Sequence, residues 1–527
     1  MKLFHRATLA ALALASVTYA IPAAPVQAQE GHEGHEHVSV PPEKLGTVHF
    51  EITAGADAQK AFDRAVAFLH SFEYEEAETA FRKIADSDPQ CAMALWGIAM
   101  CNYHPIWGPT TEADFLRGQA ASEKALQIGG KTDREKAYID AIASYYKDSD
   151  RLGFPARKAA YEEAMAGFHE RFPNDMEGTI FYALAILGNA PTTDKSYVKQ
   201  RKAAELLNSV LPKAPDHPGV AHYLIHSLDY PGLADLALPA ARAYAKIAPS
   251  APHAQHMPSH IFTRLGLWDE SISSNLAAAE AARAQMARTH PGETYFEELH
   301  AMDYLAYAYL QQGRFDKAEG VLRSMRAVTK VNQETPSAAY SFAAVPARIA
   351  LERHQWGEAA RLTEWPAWFS WSKFAWARAL TQTARGIGAA RSGDTEAARA
   401  ALATLDSLHQ SLAGAEGYNW ADQVEVQRRE VAGWIAHAER NDAEALEKVT
   451  SAADLEDSID KNPVTPGALL PAREQLADLL MEMKKPAEAV VAYEAVLKDA
   501  PGRRNAVAGL EAGRKMLAAG GPGSTRQ

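Results

Sequence analysis

The sequence predicts an all-α protein, and three observations carry that prediction. From about residue 54 to residue 515 the chain consists of long segments rich in Ala, Leu, Glu, Lys and Arg, separated by short breaks. The alternation of apolar and polar residues that marks β-strands is almost absent. A small residue, a larger apolar residue and a proline also recur at a fixed spacing along the chain. We therefore expect stacked helices rather than a sheet.

The recurring spacing indicates a repeat of about 34 residues. A small residue is followed by an apolar residue four positions later and by a proline twelve positions later, at Ala77/Phe81/Pro89, Ala203/Leu207/Pro215, Ala237/Ala241/Pro249 and Ala489/Tyr493/Pro501. A glycine precedes the small position by five residues at Gly266, Gly313 and Gly393. Small residues let two antiparallel helices approach closely, the glycine relieves the turn between them, and the proline ends the second helix.

This pattern resembles the tetratricopeptide-repeat family, and the resemblance covers most of the chain. It implies a right-handed superhelical α-solenoid of helix hairpins with a concave groove, because each hairpin buries its apolar face only against its neighbours. We expect an N-terminal array over residues 54–345, a C-terminal array over residues 346–515, and a disordered tail over residues 516–527.

Residues 1–28 are typical of a secretory signal peptide. Lys2 and Arg6 precede an apolar run over residues 7–20, and Ala28 offers a small residue at the cleavage position. The run is too short to span a bilayer comfortably. We therefore expect a periplasmic or secreted protein with no stable membrane insertion after cleavage.

Residues 29–53 predict a disordered tail that contains His32, His35 and His37. Such a tract either scavenges metal ions loosely or serves as a solubilising spacer, and the sequence leaves both interpretations open. The net charge of -12 argues against nucleic acid or an anionic membrane surface as the main partner. Cys91 and Cys101 are expected to be buried free thiols, since a disulfide would need a break in the helix between them.

Two histidine pairs are the strongest chemical signal in the chain. His222 and His226 are four residues apart, as are His256 and His260, and this spacing puts both imidazoles of a pair on one helix face. The two pairs are 34 residues apart, which is one repeat length. All four histidines therefore occupy equivalent positions on the first helices of adjacent repeats. In the family that the chain resembles, those positions face the concave groove, where the four could converge on one ion.

Further polar residues occupy neighbouring repeat positions: His253, His300, Asp229 and Asp303. Their side chains are candidates for additional ligands or for partners that orient the imidazoles. A set of nitrogen and oxygen ligands suits a divalent transition metal, namely Zn, Cu, Fe, Ni or Mn. The alternatives are groove contacts to a ligand, or histidines that only stabilise the fold.

Pro258 lies between His256 and His260 and conflicts with a continuous helix there. Either the helix kinks at Pro258, or a helix begins there and leaves His256 outside it. Trp368 and Trp371 lie in an aromatic segment that forms either a wall of the groove or the core between repeats. Glu297 and Glu298 are candidate bases beside a metal-bound water, or solvated helix charges.

The sequence therefore predicts an exported repeat protein with a metal-binding histidine cluster that serves metal handling or metal-dependent chemistry. The alternative is a metal-free periplasmic scaffold that binds a peptide or protein in its groove. The chain also resembles a set of exported bacterial repeat proteins with blocks like His222–His226 and Pro258–Phe262, which have no settled activity. No nucleophile elbow, phosphate loop or dinucleotide fingerprint occurs, so whether the protein is an enzyme stays open.

Overall fold

The computed structural model describes residues 43–415 and 417–520, which belong to one compact unit. The predicted signal peptide, residues 29–42 and residues 521–527 lie outside the described residues. The first half of the described chain contains helices α1 Ala56–His70, α2 Tyr74–Ser87, α3 Ala92–Cys101, α4 Glu112–Ile128, α5 Asp133–Tyr146, α6 Phe154–Arg171, α7 Met176–Gly188, α8 Val198–Val210, α9 Pro218–Leu228, α10 Ala234–Ile247, α11 Pro252–His256 and α12 Pro258–Arg264.

The second half is equally helical. It contains α13 Trp268–Thr289, α14 Phe296–Gln311, α15 Phe315–Arg326, α16 Pro336–Glu352, α17 Trp356–Ala359, α18 Ala375–Arg391, α19 Thr395–Ser411, α20 Trp420–Ala438, α21 Asp442–Ser458, α22 Ala472–Glu482, α23 Pro486–Asp499 and α24 Arg504–Gly520. A short 3-10 helix spans Trp371–Lys373, and one isolated β-bridge joins Thr294 to Val331. No helix among the described residues is long and apolar enough to cross a membrane.

Consecutive helices pack on one another along the chain, so the predicted all-α stack of helix hairpins is confirmed. The small residues of the repeat pattern lie at the helix contacts, where Ala77, Ala203, Ala237 and Ala489 are fully buried. The predicted turn glycine has a left-handed backbone at Gly266, with a φ of 68°. Only glycine adopts that conformation without strain, which explains its place between two helices.

Buried apolar side chains form two large clusters, one drawn from residues 45–262 and the other from residues 272–506. The clusters meet at α12 and α13, within the predicted N-terminal array, and the predicted division at residue 345 stays a prediction. Cys91 and Cys101 are buried free thiols, as expected.

Residues 43–53, part of the stretch expected to be a disordered tail, pack against α3 and α5 without regular secondary structure. The Phe50 ring is buried and lies 5.1 Å from the Trp96 ring and 4.7 Å from the Tyr138 ring. The alternating Phe50 and Ile52 are the apolar residues that hold this segment in place.

At the other end of the chain, α24 continues to Gly520, past the expected start of the C-terminal tail.

The segment between α21 and α22, residues 459–471, reaches back to the middle of the chain. Lys461 Nζ lies 3.3 Å from Asp229 Oδ2 at the end of α9, and Thr465 O accepts a hydrogen bond from Tyr304 on α14. Arg348 on α16 donates to the Gly467 carbonyl. This segment therefore covers the side of the repeat stack on which the predicted histidines lie.

Candidate metal centre

Helix α9 places the first histidine pair inside the protein. Pro218 begins the helix, where its missing N–H costs nothing. Every residue of α9 is buried, because the helix is packed by neighbours on all sides. His222 Nε2 and His226 Nε2 lie 3.0 Å apart, so the spacing of four residues aligns the two rings as predicted.

Pro258 divides the segment that carries the second pair into α11 and α12. Helix α12 begins at Pro258, which is the second of the two predicted outcomes. His256 nevertheless ends the preceding helix rather than lying in a loop, and the linking Met257 keeps helical dihedral angles, with φ of -53° and ψ of -36°. The helical path is therefore preserved, and His256 Nε2 lies 3.0 Å from His260 Nε2.

The structure divides the four predicted histidines between two groups of three, so they do not meet at a single point. The first trio is His222, His226 and His253, and the second trio is His256, His260 and His300. Within each trio one ligand atom from each ring lies within 4.8 Å of the others. His253 and His300, predicted as additional ligands, each complete one trio.

Both trios follow one rule in the repeat. A pair on the first helix of one repeat is joined by a single histidine near the start of the first helix of the next repeat. His253 on α11 joins the pair on α9, and His300 on α14 joins the pair on α11 and α12. The trios are neighbours, since the His226 and His260 rings lie 6.3 Å apart.

Oxygen acceptors fix the protons of the second trio. His260 Nδ1 lies 3.0 Å from Asp229 Oδ2, and His256 Nδ1 lies 2.6 Å from Asn275 Oδ1. The Asn275 amide nitrogen donates to Ser271 O, so its oxygen must accept. Each Nδ1 therefore carries the hydrogen, and the facing Nε2 atoms of His256 and His260 both present lone pairs.

The first trio repeats this arrangement with other partners. His222 Nδ1 donates to the His70 carbonyl at 2.6 Å, which leaves a lone pair on His222 Nε2. His253 Nδ1 lies 3.2 Å from Glu297 Oε1, and His253 Nε2 faces His222 Nε2 at 3.1 Å. The predicted candidate base Glu297 thus lies behind a trio histidine. Partners of this kind orient metal-binding imidazoles in proteins.

All six trio imidazoles are buried, and burial disfavours their charged form. Burial and the neighbouring rings lower the pKa of His222, His226, His256 and His300 well below 6.5. His300 adds a second feature, since neither of its ring nitrogens has a hydrogen-bond partner among the described residues. Buried polar atoms in proteins are normally paired, so an unpaired imidazole points to a missing partner.

Asp229 supports the second trio from behind. Burial alone would raise the pKa of Asp229, but Lys461, Arg264 and His260 together lower it well below its usual value. Asp303, the other predicted carboxylate, is paired with the buried guanidinium of Arg348 instead. The Asp303 carboxylate on α14 therefore contacts a side chain of α16 rather than an imidazole.

Trp368 and Trp371 lie away from the trios. Trp371 donates its indole N–H to Pro366 O and is buried, whereas the Trp368 ring is 43% exposed and packs on Phe342. Aromatic rings that do contact the first trio include Phe72, 4.4 Å from the His222 ring, Tyr244, 5.1 Å from the same ring, and Trp107. They give that trio an apolar wall.

A third group of ligand-type side chains lies next to the first trio. The Glu177 carboxylate bridges His70 Nε2 and His217 Nε2, both at 2.9 Å. Burial would raise the Glu177 pKa, but the two imidazoles lower it far below its usual value. His70 also accepts the His222 proton through its carbonyl, so this network holds the first trio in place.

Several site residues gave no sequence signal. Phe72 and Glu73 lie in the turn between α1 and α2, and Trp107 and Asn275 come from two other segments, all outside the blocks that carry the histidine pairs. Glu73 lies beside His253 at the wall of the first trio, where burial, Glu76 and Glu297 raise its pKa to about 8. Of these residues, only Asn275 could have been placed from the repeat pattern, because it lies on α13, the helix that packs on α11.

Comparisons with known proteins add little to this description. No known family's sequence model matches the chain, and no curated protein is similar to it. Solved structures with some similarity include a human IFIT1 dimer with m7Gppp-AAAA, at 12% identity over 77% of this chain and 87% of that chain, with a TM-score of 0.36. Another is yeast Tom70, at 13% identity over 88% of this chain and 96% of that chain, with a TM-score of 0.33.

A third similar structure is the TPR domain of P58(IPK), at 13% identity over 89% of this chain and all of that chain, with a TM-score of 0.19. The chain has a tetratricopeptide-repeat fold. That statement rests on the repeat spacings, the buried small residues and the consecutive helix hairpins, because TM-scores this low carry no argument. The two trios therefore lie on the first helices of consecutive repeats.

Proposed function

We propose that this chain is an exported metal-binding repeat protein whose six trio histidines hold transition-metal ions in two neighbouring three-imidazole sites. One observation carries the proposal: in each trio, the Nε2 lone pairs of two rings face each other at about 3 Å while oxygen acceptors hold the Nδ1 hydrogens of both rings. Facing lone pairs repel, so such an arrangement calls for a cation between them.

A proton is a poor candidate for that cation. The trio rings are buried, and burial lowers the pKa of five of the six, His222, His226, His256, His260 and His300. A metal ion instead binds the neutral imidazole through its lone pair. A bound metal ion therefore accounts for both the facing Nε2 lone pairs and the burial of the imidazoles.

The ligand set narrows the choice of metal. Imidazole suits Zn, Cu, Fe and Ni, whereas Mn prefers carboxylate and water oxygens. The nearby carboxylates of Asp229 and Glu297 lie against Nδ1 atoms, behind the rings. Among the five metals that the sequence suggests, Mn is thus the least favoured.

Three protein ligands leave an ion with an open position, the arrangement of catalytic rather than structural zinc sites. An open position supports either exchange of the metal with a partner or activation of a bound small molecule. We therefore propose metal handling or metal-dependent chemistry, and the proposal names no substrate.

The alternative proposal is a metal-free scaffold that binds a peptide or protein in its groove. The fold is compatible with that function. The burial of the six imidazoles weighs against a partner that contacts them, since His226, the most exposed, is only 7% exposed. A partner would bind other residues of the repeats, and its binding would survive removal of metal by a chelator.

Metal content of the full chain, expressed without an affinity tag, tests the proposal. After loading with zinc or copper and gel filtration, elemental analysis should find two ions per chain, one for each trio. His222→Ala and His256→Ala should each remove one ion, and the double variant should remove both. Helix content measured by circular dichroism establishes that the variants fold.

Two control variants accompany that experiment. His49→Ala changes a histidine whose side chain is 69% exposed, so it should leave the metal content unchanged. Replacing His32, His35 and His37 together removes binding by the N-terminal tract. If the double trio variant retains the wild-type metal content, the proposed sites are wrong. Mass spectrometry of the exported protein, with a new terminus near Gln29, tests the export.

A further inference from the structure

A cavity of about 230 Å³ lies among helices of the second half of the chain, and Lys195, Pro231, Thr263 and Arg264 from the first half complete its lining. Helices α18, α20 and α23 and the segment 459–471 supply its walls, and none of the six trio imidazoles lines it. Its volume is below the roughly 300–1,000 Å³ of sites for drug-sized ligands, so its occupant is a small molecule.

One wall of the cavity is aromatic. The Trp376 and Trp420 rings stack with centroids 4.0 Å apart and planes 9° apart, and the Tyr340 ring lies 6.2 Å from Trp376. All three line the cavity. A wall of tryptophan and tyrosine faces attracts cations through the negative faces of the rings.

The charges on the walls are not balanced. Each basic side chain that lines the cavity has a carboxylate partner: Lys195 with Asp460, Arg264 and Lys461 with Asp229, and Arg473 with Asp454 and Asp457. Within the described part of the chain, Glu430 and Glu456 line the cavity and form no direct ion pair, although Arg503 and Arg473 act on Glu456 from farther away. Both of these side chains that lack an ion pair are acids.

The unpaired hydrogen-bonding atoms of the cavity-lining residues are also groups that a cation with N–H donors would satisfy. Asp460 Oδ2 and Gln427 Oε1 belong to cavity-lining residues and have no hydrogen-bond partner among the residues that the structure describes. Asp460 is 95% buried, so water does not simply replace that partner. Both atoms are acceptors. What the cavity lacks is thus a donor of N–H or O–H hydrogens.

The pKa values of Glu430 and Glu456 agree with an acidic wall on which neither carboxyl forms a direct ion pair among the described residues. Burial is the main cause that raises the pKa of Glu456, to about 7, and that of Glu430, well above its usual value. Glu430 Oε1 accepts from Gln475 Nε2, and Glu456 Oε2 accepts from the Ala472 amide. Carboxyls that form no ion pair are stabilised as carboxylates when a cation lies beside them.

We propose that this cavity binds a small aliphatic amine, a cation whose N–H groups donate to Glu430, Glu456 and Asp460 while it lies beside the stacked Trp376 and Trp420 rings. Hydrogen bonds between a charged donor and a carboxylate are the strongest of their kind. A carboxylate ligand would need an unpaired basic side chain, and each base on the wall is already paired. The proposal does not depend on metal in the trios.

Isothermal titration of the metal-free full chain with 1,4-diaminobutane tests the proposal. Binding is expected for the diamine, and no comparable binding for butane-1,4-diol, which has the same chain without charge, or for succinate, which has the opposite charge. Tetramethylammonium, a cation without N–H groups, should bind at least about tenfold more weakly. Equal or tighter binding of any of the three comparison compounds would overturn the proposal, as would no binding of the diamine.

Variants locate the binding. Glu430→Gln with Glu456→Gln, and separately Trp420→Leu, should weaken diamine binding about tenfold or more. The matched control Glu447→Gln lies on the same helix as Glu456 with its side chain 70% exposed, and it should change nothing. Unchanged binding by the double glutamine variant would contradict the proposal. Thermal melting establishes that the variants fold.

His256→Ala separates this inference from the proposed metal sites. If the diamine binds in the cavity, this variant keeps wild-type affinity, whatever the trios hold. Loss of diamine binding in His256→Ala would instead assign the diamine to the trio region and end the cavity proposal. Metal content of the same variant is an independent measurement, so either proposal can fail alone.

Discussion

The Nε2 atoms of His256 and His260 lie 3.0 Å apart, and an oxygen acceptor holds the Nδ1 hydrogen of each ring. Two buried lone pairs therefore point at each other where α11 continues into α12. The same relationship joins His222 to His253 in the neighbouring trio. Whether the trios bind metal therefore depends on what lies between those atoms.

Asn275 gives a first prediction because it holds His256 through its side-chain oxygen. Asn275→Leu removes the acceptor and should weaken metal binding at the second trio about 10- to 100-fold, the usual effect of losing such a partner. Asn275→Asp keeps an acceptor and should retain binding. Titration against a chelator of known affinity measures both, and the first trio serves as the internal control. Equal affinities of all three proteins would contradict the role given to Asn275.

Asp303 gives a second prediction, since the sequence suggested it as a ligand and the structure pairs it with Arg348. Asp303→Asn leaves a buried guanidinium without its carboxylate, so the free energy of unfolding should fall by about 3–5 kcal/mol. The metal content should stay at the wild-type value. Urea unfolding and elemental analysis provide the two measurements. The exposed Glu439→Gln, which breaks a surface pair with Arg399, is the control and should change neither.

The pH dependence of the metal-free protein gives a third prediction. Burial, followed by His260 and His253, lowers the folded pKa of His300, whereas the unfolded imidazole titrates near 6.5. Below that pH the unfolded state binds more protons, so His300 makes the protein less stable as the pH falls. Its contribution is fully present above about pH 6.5 and declines by up to about 1.4 kcal/mol per pH unit below it.

Comparison with His300→Gln isolates that contribution, because buried acids such as Glu73 shift the pH dependence in the opposite direction. Chelator-treated wild type should lose more stability than His300→Gln between pH 7.5 and 5.5 in urea unfolding. Parallel pH profiles of the two proteins would show that His300 has an ordinary pKa.

The close contact of α2 and α3 gives a fourth prediction. A Cβ atom at Gly97 would overlap the Phe81 ring, so Gly97→Ala forces the hairpin apart. We expect the free energy of unfolding to fall by about 1–3 kcal/mol, the usual cost of overpacking. At Gly55 an added Cβ meets nothing within 4 Å, and Gly55→Ala is the matched control. A neutral Gly97→Ala would contradict the packing of this hairpin.

The fold could be predicted because its determinants repeat at a fixed spacing. Ala77, Ala203, Ala237 and Ala489 each mark a helix contact by their size alone. The segment 459–471 could not be predicted, since it binds Asp229, Tyr304 and Arg348 through contacts more than 100 residues away in the chain. No local pattern records such partners.

The candidate site, like the fold, could be predicted from the sequence only in part. The echo of 34 residues identifies the two pairs, and repeat positions nominate His253 and His300. The repeat positions also marked His253 and His300 as equivalent. They did not show that each of the two joins the histidine pair of the preceding repeat, because that depends on how the helices pack. The effect of Pro258 depended on backbone angles at Met257, which the sequence does not specify.

X-ray absorption spectroscopy of the zinc-loaded full chain tests the central claim most directly. The account predicts a first shell of nitrogen at about 2.0–2.1 Å with the outer-shell scattering of imidazole, and its loss in the His222→Ala, His256→Ala double variant. His49→Ala should leave the spectrum unchanged. A first shell dominated by carboxylate oxygen or by sulfur, or a chain that retains no zinc after gel filtration, would contradict the account.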